Sequence, residues 1–398
     1  MSVKESIAAQ PDLVLEYTDP LEGFKGWLVI HRLSHRLCAG GLRVQPGLSR
    51  GVVEQLAATM TLKMRITGIR ADGAKSGIDY DPTSAGKRAA LSRFLRAIRP
   101  HVLDRYSMGP DMNTTMPELE SICGELGIPS GKIAVARAQE LDEADFRKRL
   151  ALLDQPLAHA TAGRLRSGAG LAAACLATLD HLRIPRHRAR VAIQGFGGLA
   201  SGAAFFLAGA RVMVTALADR EKSLAAIGGL DLEPLLAQSH DGLIPDNAPS
   251  AVYGKRDDIL TLPCDILIPA AVEKSVDSRI AAKLRVRAVV CGANLAVTPE
   301  AEKILDQRGI LLVPDMVAGC GGSLSMQGLF GPRHPPTVQE VLEHVEKRMT
   351  AIVGRLLRYG QAEKIPPRQA ALRICAATPI MPDSRPYTLS PMEPLPSL

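Results

Sequence analysis

The chain has 398 residues, more than one ordinary hydrophobic core accommodates, so its length predicts two domains. Hydrophobic residues make up 46% of it and charged residues 22%, a composition typical of a globular protein and not of a disordered one. The net charge of +7 does not indicate a nucleic-acid partner, because the arginines are spread along the chain and only seven Phe, six Tyr and one Trp are present to stack on bases.

Targeting and redox signals are equally sparse. No apolar run reaches the roughly eighteen residues that span a membrane, and the opening MSVKESIAAQPD lacks the apolar core of a secretory signal. The seven cysteines are odd in number, scattered, and without paired or zinc-type spacing. We therefore expect a cytoplasmic protein with reduced thiols, no membrane segment and no metal site.

The first 150 residues predict a mixed α/β domain. Residues 24–33 and 37–44 have the composition of two consecutive strands, and helical patterns follow over residues 50–65 and 84–102. Residues 138–160 are charged and then lose their periodicity, which indicates a hinge between domains.

From residue 191 the sequence alternates short apolar runs with helical patterns. The runs span residues 191–194, 211–218, 265–270, 286–292 and 310–315, and the helical patterns span residues 200–208, 278–284 and 299–308. Short apolar strands separated by helices are typical of a parallel sheet covered on both faces. This half therefore predicts a doubly wound, Rossmann-type nucleotide-binding fold.

A late helix and a proline-rich tail complete the predicted organisation. The helical pattern over residues 337–359 follows the last strand, and residues 379–398 are expected to be extended or mobile. We predict an α/β domain at residues 1–150, completed by the late helix near residues 337–378. The Rossmann domain takes residues 151–336, with a cleft between the two domains.

The segment GFGGLA, residues 195–200, predicts the site for a dinucleotide. It follows an apolar run and opens a helical pattern, which is the context in which a GxGxxA motif binds pyrophosphate. Gly195 would permit the tight turn, Gly197 and Gly198 would let the phosphates approach the backbone, and Ala200 would let the helix pack on the sheet. The amides of the helix N-terminus would then donate to the phosphates. An ordinary glycine-rich turn is the alternative.

Asp219 ends the next predicted strand, slightly more than twenty residues further on. A carboxylate there would accept hydrogen bonds from the adenosine ribose and repel a 2′-phosphate, which favours NAD over NADP. Arg220 follows it and would instead pair with a 2′-phosphate, so NADP stays possible. The alternative for Asp219 is a residue that caps a turn.

Motifs in both halves resemble those of the glutamate/leucine/phenylalanine/valine dehydrogenases. The segment IRADGAKSGIDYDP, residues 69–82, resembles the lysine-bearing, glycine-rich motif of that family. The likeness continues in the family's order in CAGGLR (38–43), MTLKM (60–64), GPDMNTT (109–115), CDILIPAAVE (264–273), CGANLAVTPEA (291–301) and VPDMVAGCGG (313–322). Several motifs are long enough that coincidence is a poor explanation.

This resemblance implies an enzyme that oxidatively deaminates an L-amino acid, with NAD as cofactor, and a homo-oligomeric assembly. It also implies that residues 1–150 form the catalytic, substrate-binding and dimerisation domain. Lys75 matches the catalytic lysine, a general base for water attack on the imine. Asp111 matches the carboxylate that shuttles protons to the nitrogen, and Lys63 matches the cation that binds the substrate's α-carboxylate. Thr161 and Asn294 are expected to contact the cofactor. The alternatives are solvated surface lysines and an Asx-turn.

Departures from the family pattern predict the substrate. Glutamate-specific members carry a lysine where this chain has Ala39, just before Gly40 and Gly41, and a serine where it has Met326. Without those two contacts a distal carboxylate would be buried unpaired at a cost of several kcal/mol. We therefore expect an apolar or aromatic amino acid as substrate, and a protein closer to the leucine and phenylalanine type.

Two other departures lie near expected catalytic positions. Asp72 replaces a glycine of the lysine motif, and a carboxylate beside Lys75 would raise the pKa of its ammonium. Gly319 replaces the family's asparagine. These changes support one alternative, a nucleotide-binding regulatory protein that has lost turnover. Another is an enzyme that acts on an unusual amino or keto acid in a specialised pathway.

Overall fold

The structure, a computed structural model, describes residues 10–239, 242–248 and 251–389. These residues form two compact units. The first runs up to Arg147 and resumes at Cys375, and the second is the continuous segment Lys148–Ile374. Among the residues described, no helix is both long and apolar enough to cross a membrane.

The first unit holds a mixed sheet with helices on its faces. Its strands are β1 (Leu13–Thr18), β2 (Lys25–Ile30), β3 (Cys38–Val44), β4 (Asp72–Ile78) and β5 (Tyr106–Pro110). Its helices are α1 (Arg50–Thr67), α2 (Lys87–Asp104), α3 (Met116–Glu125), α4 (Ile133–Gln139) and α5 (Glu143–Leu150), the last of which contains the boundary with the second unit. The two predicted strands and two predicted helices are thus confirmed.

The order of the sheet is β1-β2-β4-β3-β5, with β3 parallel to both of its neighbours. Side chains alternate between its two faces. One face packs on α2 and α3 through a core that includes Ala74, Ile78, Phe94 and Leu119. The other face meets α1 and is described below, because the candidate site lies on it.

The second unit is built around a seven-stranded sheet. Two short strands precede that sheet and pair only with each other, β6 (Pro156–Leu157) and β7 (Ala160–Thr161). The seven strands of the sheet are β8 (Arg190–Gln194), β9 (Met213–Ala218), β10 (Lys222–Ala225), β11 (Val252–Lys255), β12 (Ile266–Pro269), β13 (Ala288–Val290) and β14 (Leu311–Val313). Its helices are α6 (Ala162–His181), α7 (Gly198–Gly209), α8 (Leu232–Ala237), α9 (Ser278–Lys283), α10 (Pro299–Gln307), α11 (Asp315–Ala318), α12 (Gly321–Phe330), α13 (Val338–Glu363) and α14 (Pro367–Ala377).

The large sheet has the order β11-β10-β9-β8-β12-β13-β14. The five predicted strands are the parallel ones, β8, β9, β12, β13 and β14, which confirms the Rossmann-type prediction. The order reverses beside β8, so ligands are expected outside the carboxyl ends of β8 and its neighbours. The sequence analysis missed β10 and β11, which add two antiparallel strands at one edge.

Helix α6 was also missed, because its buried residues are mostly small. Nine of its residues are alanine or glycine, so no stripe of large apolar side chains reveals the helical period. The small residues let other helices come close: a β-carbon on Gly168 would lie 2.5 Å from the amide nitrogen of Ala203 in α7, and one on Gly170 would overlap Cα of Gly321 in α12.

The late helix belongs to the second unit, which corrects the predicted division into domains. Helix α13 begins after Thr337, which forms a capping box with Glu340, and it packs on α6 and α12 within the second unit. It does not complete the first domain as predicted. An amphipathic pattern shows only that one face is buried, and it carries no information on which domain buries it.

The tail is anchored as far as it is described. Residues 379–389 have no helix or strand, as expected, but they are held by the first unit: Tyr387 is 2% exposed and its amide donates to Gln139 Oε1 at 3.0 Å. Arg385 pairs with Glu140 at 2.6 Å, and the amide of Arg70 donates to the carbonyl of Pro386 at 3.0 Å. Residues 390–398 lie outside the described residues.

The contact between α6 and α12 can be tested with one methyl group. Gly170→Ala should lower the free energy of unfolding by about 1–3 kcal/mol, because the new β-carbon overlaps Gly321 and the helices must separate. Urea denaturation followed by circular dichroism measures this. Gly209→Ala is the matched control, since a β-carbon there meets nothing within 4 Å and should be neutral or slightly stabilising. Equal stability of the two variants would contradict the close approach.

Candidate active site

Lys75 lies in the middle of β4, on the face of the first sheet that α1 covers. Its partner across the strands is Val29, and the next pair on the same face is Gly77 with Trp27. Val29 and Trp27 form an apolar cluster with Val53 and Ala57 of α1. The Lys75 side chain is therefore buried, with only 4% of it exposed.

Gly73 brings α1 directly against β4. A β-carbon on Gly73 would overlap the backbone of Ala57 and Thr61, so any other residue would push the helix away from the strand. Lys63 lies one half-turn beyond Thr61 and is 6% exposed. Its charge acts on Lys75. Gly73 thus fixes how closely α1, which carries Lys63, lies against β4, which carries Lys75.

Asp111 reaches the same site from the loop after β5. The loop is held in place by Thr114, whose hydroxyl accepts a hydrogen bond from the Asp111 amide at 2.9 Å and donates to the carbonyl of Leu42 at 2.7 Å. Asn113, two residues after Asp111, has φ 61° and donates from its side chain to the carbonyl of Val44 at 2.9 Å. The GPDMNTT motif therefore fixes Asp111 against β3.

Two cationic side chains contact the same oxygen of the Asp111 carboxylate. Asp111 Oδ2 lies 2.8 Å from Lys75 Nζ and 2.7 Å from Arg43 Nε. Arg43 is 2% exposed and also donates to Gln45 Oε1 at 2.9 Å. Gly41 leaves space for this cluster, because a β-carbon there would come within 2.9 Å of Asp111 Cβ and 3.4 Å of Lys75 Nζ. The structure therefore brings together Lys63, Lys75, Asp111 and Gly41, all named from the sequence.

The electrostatics of this cluster suit a lysine base. Burial lowers the pKa of the Lys75 ammonium; the Asp111 carboxylate opposes this, and the charges of Arg43 and Lys63 lower the pKa further. Burial acts to raise the pKa of Asp111, but the charges of Lys75 and Arg43 outweigh it and hold that pKa well below its usual value. Asp111 is thus a carboxylate, and Lys75 loses its proton more readily than an exposed lysine.

Ala39 and Met326 occupy different units. Ala39 is 8% exposed and lies on β3 two residues before Gly41, so it shares the face of Lys75. Gly40 is the point of closest approach between strands, since a β-carbon there would overlap the carbonyl of Ala74. Met326 belongs to α12 of the second unit and is 6% exposed.

Asp72 does not face Lys75, and the expectation that it would act on the lysine is wrong. The two residues are three apart on one strand, so their side chains point to opposite faces. Asp72 accepts from the His35 amide at 2.7 Å, and its other oxygen lies 3.1 Å from His35 Nδ1. Its carboxylate therefore contacts His35 and not the lysine. Gly319 caps α11, and nothing in the structure explains its replacement of asparagine.

The glycine-rich turn of the second unit has the geometry of a phosphate cradle. Gly195 has φ 113°, which favours glycine, and a β-carbon on it would lie 2.8 Å from the carbonyl of Ala270. Gly197 is the N-cap of α7, it offers no side chain to the first amides, and a β-carbon on it would meet open space. Gly198 begins the helix and Ala200 is fully buried. A phosphate group fits this cradle.

Asp219 is placed as predicted at the end of β9, but its carboxylate is engaged by the backbone. Oδ1 accepts from the amides of Glu221 and Lys222 at 2.7 and 2.8 Å, and Oδ2 accepts from the amide of Ile244 at 2.7 Å. Asp219 therefore caps a turn, as the alternative interpretation expects, and a contact with a ribose would be additional to that. Arg220 is exposed, with Glu221 at 3.7 Å.

The remaining cofactor candidates are less directly placed. Thr161 is the N-cap of α6, where its hydroxyl accepts from the amide of Arg164 at 3.3 Å. Asn294 is partly exposed and follows β13, next to Leu295, whose amide donates to Asp315 Oδ2 at 3.0 Å. Gln194 ends β8, and its buried Oε1 has no hydrogen-bond partner within the described chain, which suits a site for a polar ligand.

The sequence analysis missed one member of the charged cluster. Arg43 belongs to the CAGGLR motif, yet it was not singled out. Its spacing was the available signal, because Ala39, Gly41 and Arg43 follow each other at intervals of two and a strand places such residues on one face.

Two family models match the chain in order. The first, "Glu/Leu/Phe/Val dehydrogenase, dimerisation domain", matches residues 11–127. The second, "Glutamate/Leucine/Phenylalanine/Valine dehydrogenase", matches residues 164–378, more than half of the chain.

Named relatives and solved structures agree with these matches. The chain is 30% identical to glutamate dehydrogenase of Thermotoga maritima, over 76% of this chain and 71% of that protein. It is 29% identical to NAD-specific glutamate dehydrogenase of Staphylococcus aureus, over 87% of this chain and 83% of that protein. These names do not support the expected closeness to the leucine and phenylalanine type.

Among solved structures, the hetero-hexameric glutamate dehydrogenase of Thermus thermophilus in its Leu-bound form matches with a TM-score of 0.74 and 25% identity, over 94% of this chain and 89% of that one. Plasmodium falciparum glutamate dehydrogenase shares the fold, with a TM-score of 0.73, 19% identity, and coverage of 94% and 84%. With both family models matched in order, the chain belongs to the glutamate/leucine/phenylalanine/valine dehydrogenase family of amino-acid dehydrogenases.

Proposed function

We propose that the chain catalyses the reversible, NAD-dependent oxidative deamination of an apolar or aromatic L-amino acid, in which the amino acid, water and NAD⁺ give the α-keto acid, ammonium, NADH and a proton. The observation that carries this proposal is the buried contact of 2.8 Å between Lys75 Nζ and Asp111 Oδ2, beside Arg43 and Lys63. A base of lowered pKa next to a carboxylate is what water addition to an imine and release of ammonia require.

Lys75 acts as the general base in this scheme. Once the substrate's α-carbon has lost its hydride, water attacks the imine carbon, and the neutral Lys75 amine accepts a proton from that water. Burial favours the neutral amine, and the cations Arg43 and Lys63 favour it too. Lys63, on α1, supplies the fixed positive charge that holds the substrate's α-carboxylate.

Asp111 moves the proton on the nitrogen. Its carboxylate takes up a proton from the substrate ammonium and returns one to the leaving amine. Arg43 positions it through the 2.7 Å hydrogen bond to Oδ2, while Thr114 fixes the backbone of the loop. Arg43 therefore acts through Asp111 and not on the substrate.

The second unit would hold NAD, which accepts the hydride when bound. Gly195, Gly197, Gly198 and Ala200 form the cradle for its phosphates, with the amides at the start of α7 as donors. Asp219 would accept from the adenosine ribose with its remaining lone pairs and disfavour a 2′-phosphate, as the names of the NAD-specific relatives also suggest. Thr161 and Asn294 are proposed as further cofactor contacts.

Ala39 and Met326 support the apolar or aromatic side chain, because neither can bind a distal carboxylate. Ala39 lies on the face of Lys75, where a short side chain leaves room for a larger substrate. The assembly is proposed to be a homo-oligomer. No disulfide joins any of the seven cysteines, all of which are described, and this is compatible with a reducing compartment such as the cytoplasm.

Replacing Lys75 tests the assigned base. Lys75→Ala should lower kcat by about 10²–10⁴-fold while NAD binding is unchanged, since the lysine acts on water and imine and not on the dinucleotide. Lys75→Arg should not restore turnover, because a guanidinium does not serve as a base. Steady-state kinetics and calorimetric titration with NAD measure the two effects. An alanine variant with wild-type kcat would exclude Lys75 as the base.

A pair of carboxylate variants tests which charge acts on Lys75. Asp111→Asn removes the negative charge that opposes the fall in the Lys75 pKa, so the acid limb of the kcat/KM profile should move to lower pH, at reduced turnover. Asp72→Asn should leave that limb in place, because Asp72 faces His35 on the other side of the sheet. An equal shift in both variants would contradict this placement.

A substrate panel tests the side chain. Leucine, valine, phenylalanine, tryptophan and glutamate are compared with NAD⁺ and NADP⁺ at alkaline pH, following reduced cofactor. Glutamate should have a kcat/KM at least about a hundredfold below the best apolar substrate, because its distal carboxylate lacks the lysine and serine contacts. NAD⁺ should exceed NADP⁺ in efficiency. Glutamate as the best substrate would overturn the apolar assignment, and no turnover with any amino acid would favour the lapsed regulatory protein.

A further inference from the structure

A third buried lysine, besides Lys75 and Lys63, reaches the face of the sheet that carries Lys75. Lys132 is 4% exposed and stands at the N-cap of α4, whose preceding segment runs along the edge of β5. The amide of Met108 donates to the carbonyl of Gly131 at 2.8 Å, and Lys132 Nζ donates to the carbonyl of Met108 at 3.3 Å. These two hydrogen bonds bring the lysine side chain to the edge strand.

The Lys132 ammonium lies close to where Gly109 would carry a side chain. A β-carbon on Gly109 would lie 3.5 Å from Lys132 Nζ, so the ammonium occupies the space over Gly109. Gly109 pairs with Gly41, and Ser107 pairs with Ala39, so all four lie on one face together with Lys75. Gly109 is only partly buried, so a ligand can reach this part of β5 beside the ammonium.

The two glycines set an upper limit on the distance between the Lys75 and Lys132 ammonium nitrogens. Lys75 Nζ lies 3.4 Å from a β-carbon on Gly41, and Lys132 Nζ lies 3.5 Å from one on the neighbouring Gly109. Adding the strand spacing of about 4.8 Å places the two nitrogens at most about 12 Å apart. A hydrogen bond of about 3 Å at each end then leaves at most roughly 6 Å, which limits the side chain between the two lysines to about the length of a substituted ring.

We propose that Lys132 is a specificity-determining residue that binds an acceptor oxygen near the end of the substrate's side chain. The substrate class is then an L-amino acid whose side chain is apolar along its length and carries such an oxygen, as a phenol does. Ala39 and Gly109 provide the room, and the ammonium provides the charge-assisted donor. This inference rests on the proposed function, since it takes Lys75 as the end of the site where the α-carbon binds.

The test compares two substrates of one shape, tyrosine and phenylalanine, in the full-length enzyme. Wild type should favour tyrosine in kcat/KM. Lys132→Met should lower the tyrosine-to-phenylalanine ratio by roughly ten- to a hundredfold, mainly through KM, with phenylalanine nearly unchanged. Lys132→Gln keeps a donor for the Met108 carbonyl and should lower the ratio as well. Lys303→Met, an exposed lysine on α10, is the matched control.

The outcomes separate this inference from the proposed function. No tyrosine preference in wild type, or equal losses for both substrates in the two Lys132 variants, would overturn the role of Lys132 and indicate a structural lysine. Glutamate turnover that depends on Lys132 would support the residue's role and overturn the apolar side chain. If no amino acid is turned over, calorimetric binding of phenylpyruvate and 4-hydroxyphenylpyruvate decides: equal affinities in wild type would overturn the inference.

Discussion

The site in the first unit depends on one carboxylate oxygen that two cations share. Lys75 and Arg43 are both nearly buried, and Asp111 Oδ2 lies within 2.8 Å of each. A buried charge without a partner costs several kcal/mol, so the carboxylate stabilises the charged form of both side chains. One negative charge does not neutralise two positive ones, however. Because the net charge of the cluster is positive, loss of a proton is favoured, and the proton is lost from Lys75, whose pKa is lowered.

The fold was predictable where burial gives a regular pattern. The five parallel strands of the second unit are continuous apolar runs, and all five were predicted. Strand β4 of the first unit is just as buried, but its sequence DGAKSGI is not an apolar run, and it was not predicted. Helix α6 was not recognised, because a helix that packs through alanine and glycine has no stripe of large side chains. The placement of α13 was wrong for a different reason: its capping box and its apolar face define a helix, and neither specifies the neighbour that covers it.

The site was predictable as a set of residue types and less so as an arrangement. Family motifs identified Lys75, Asp111 and Lys63, which the fold brings near each other. Proximity in the sequence misled the analysis at Asp72, because a strand turns residues three apart to opposite faces. Lys132 carried no signal at all, since its place over Gly109 depends on how a distant loop follows the edge of β5.

The anchored tail has a consequence for the order in which the protein is made. The second unit is one continuous segment, whereas the first is interrupted by it and is finished only by the residues from Cys375 onwards. On the ribosome, the nucleotide-binding unit can therefore complete its core while the catalytic unit still lacks the segment that buries Tyr387 against Gln139. The part of the chain that emerges first is thus the last to reach its native structure, and a prematurely terminated chain would carry a finished Rossmann unit beside an unfinished catalytic one.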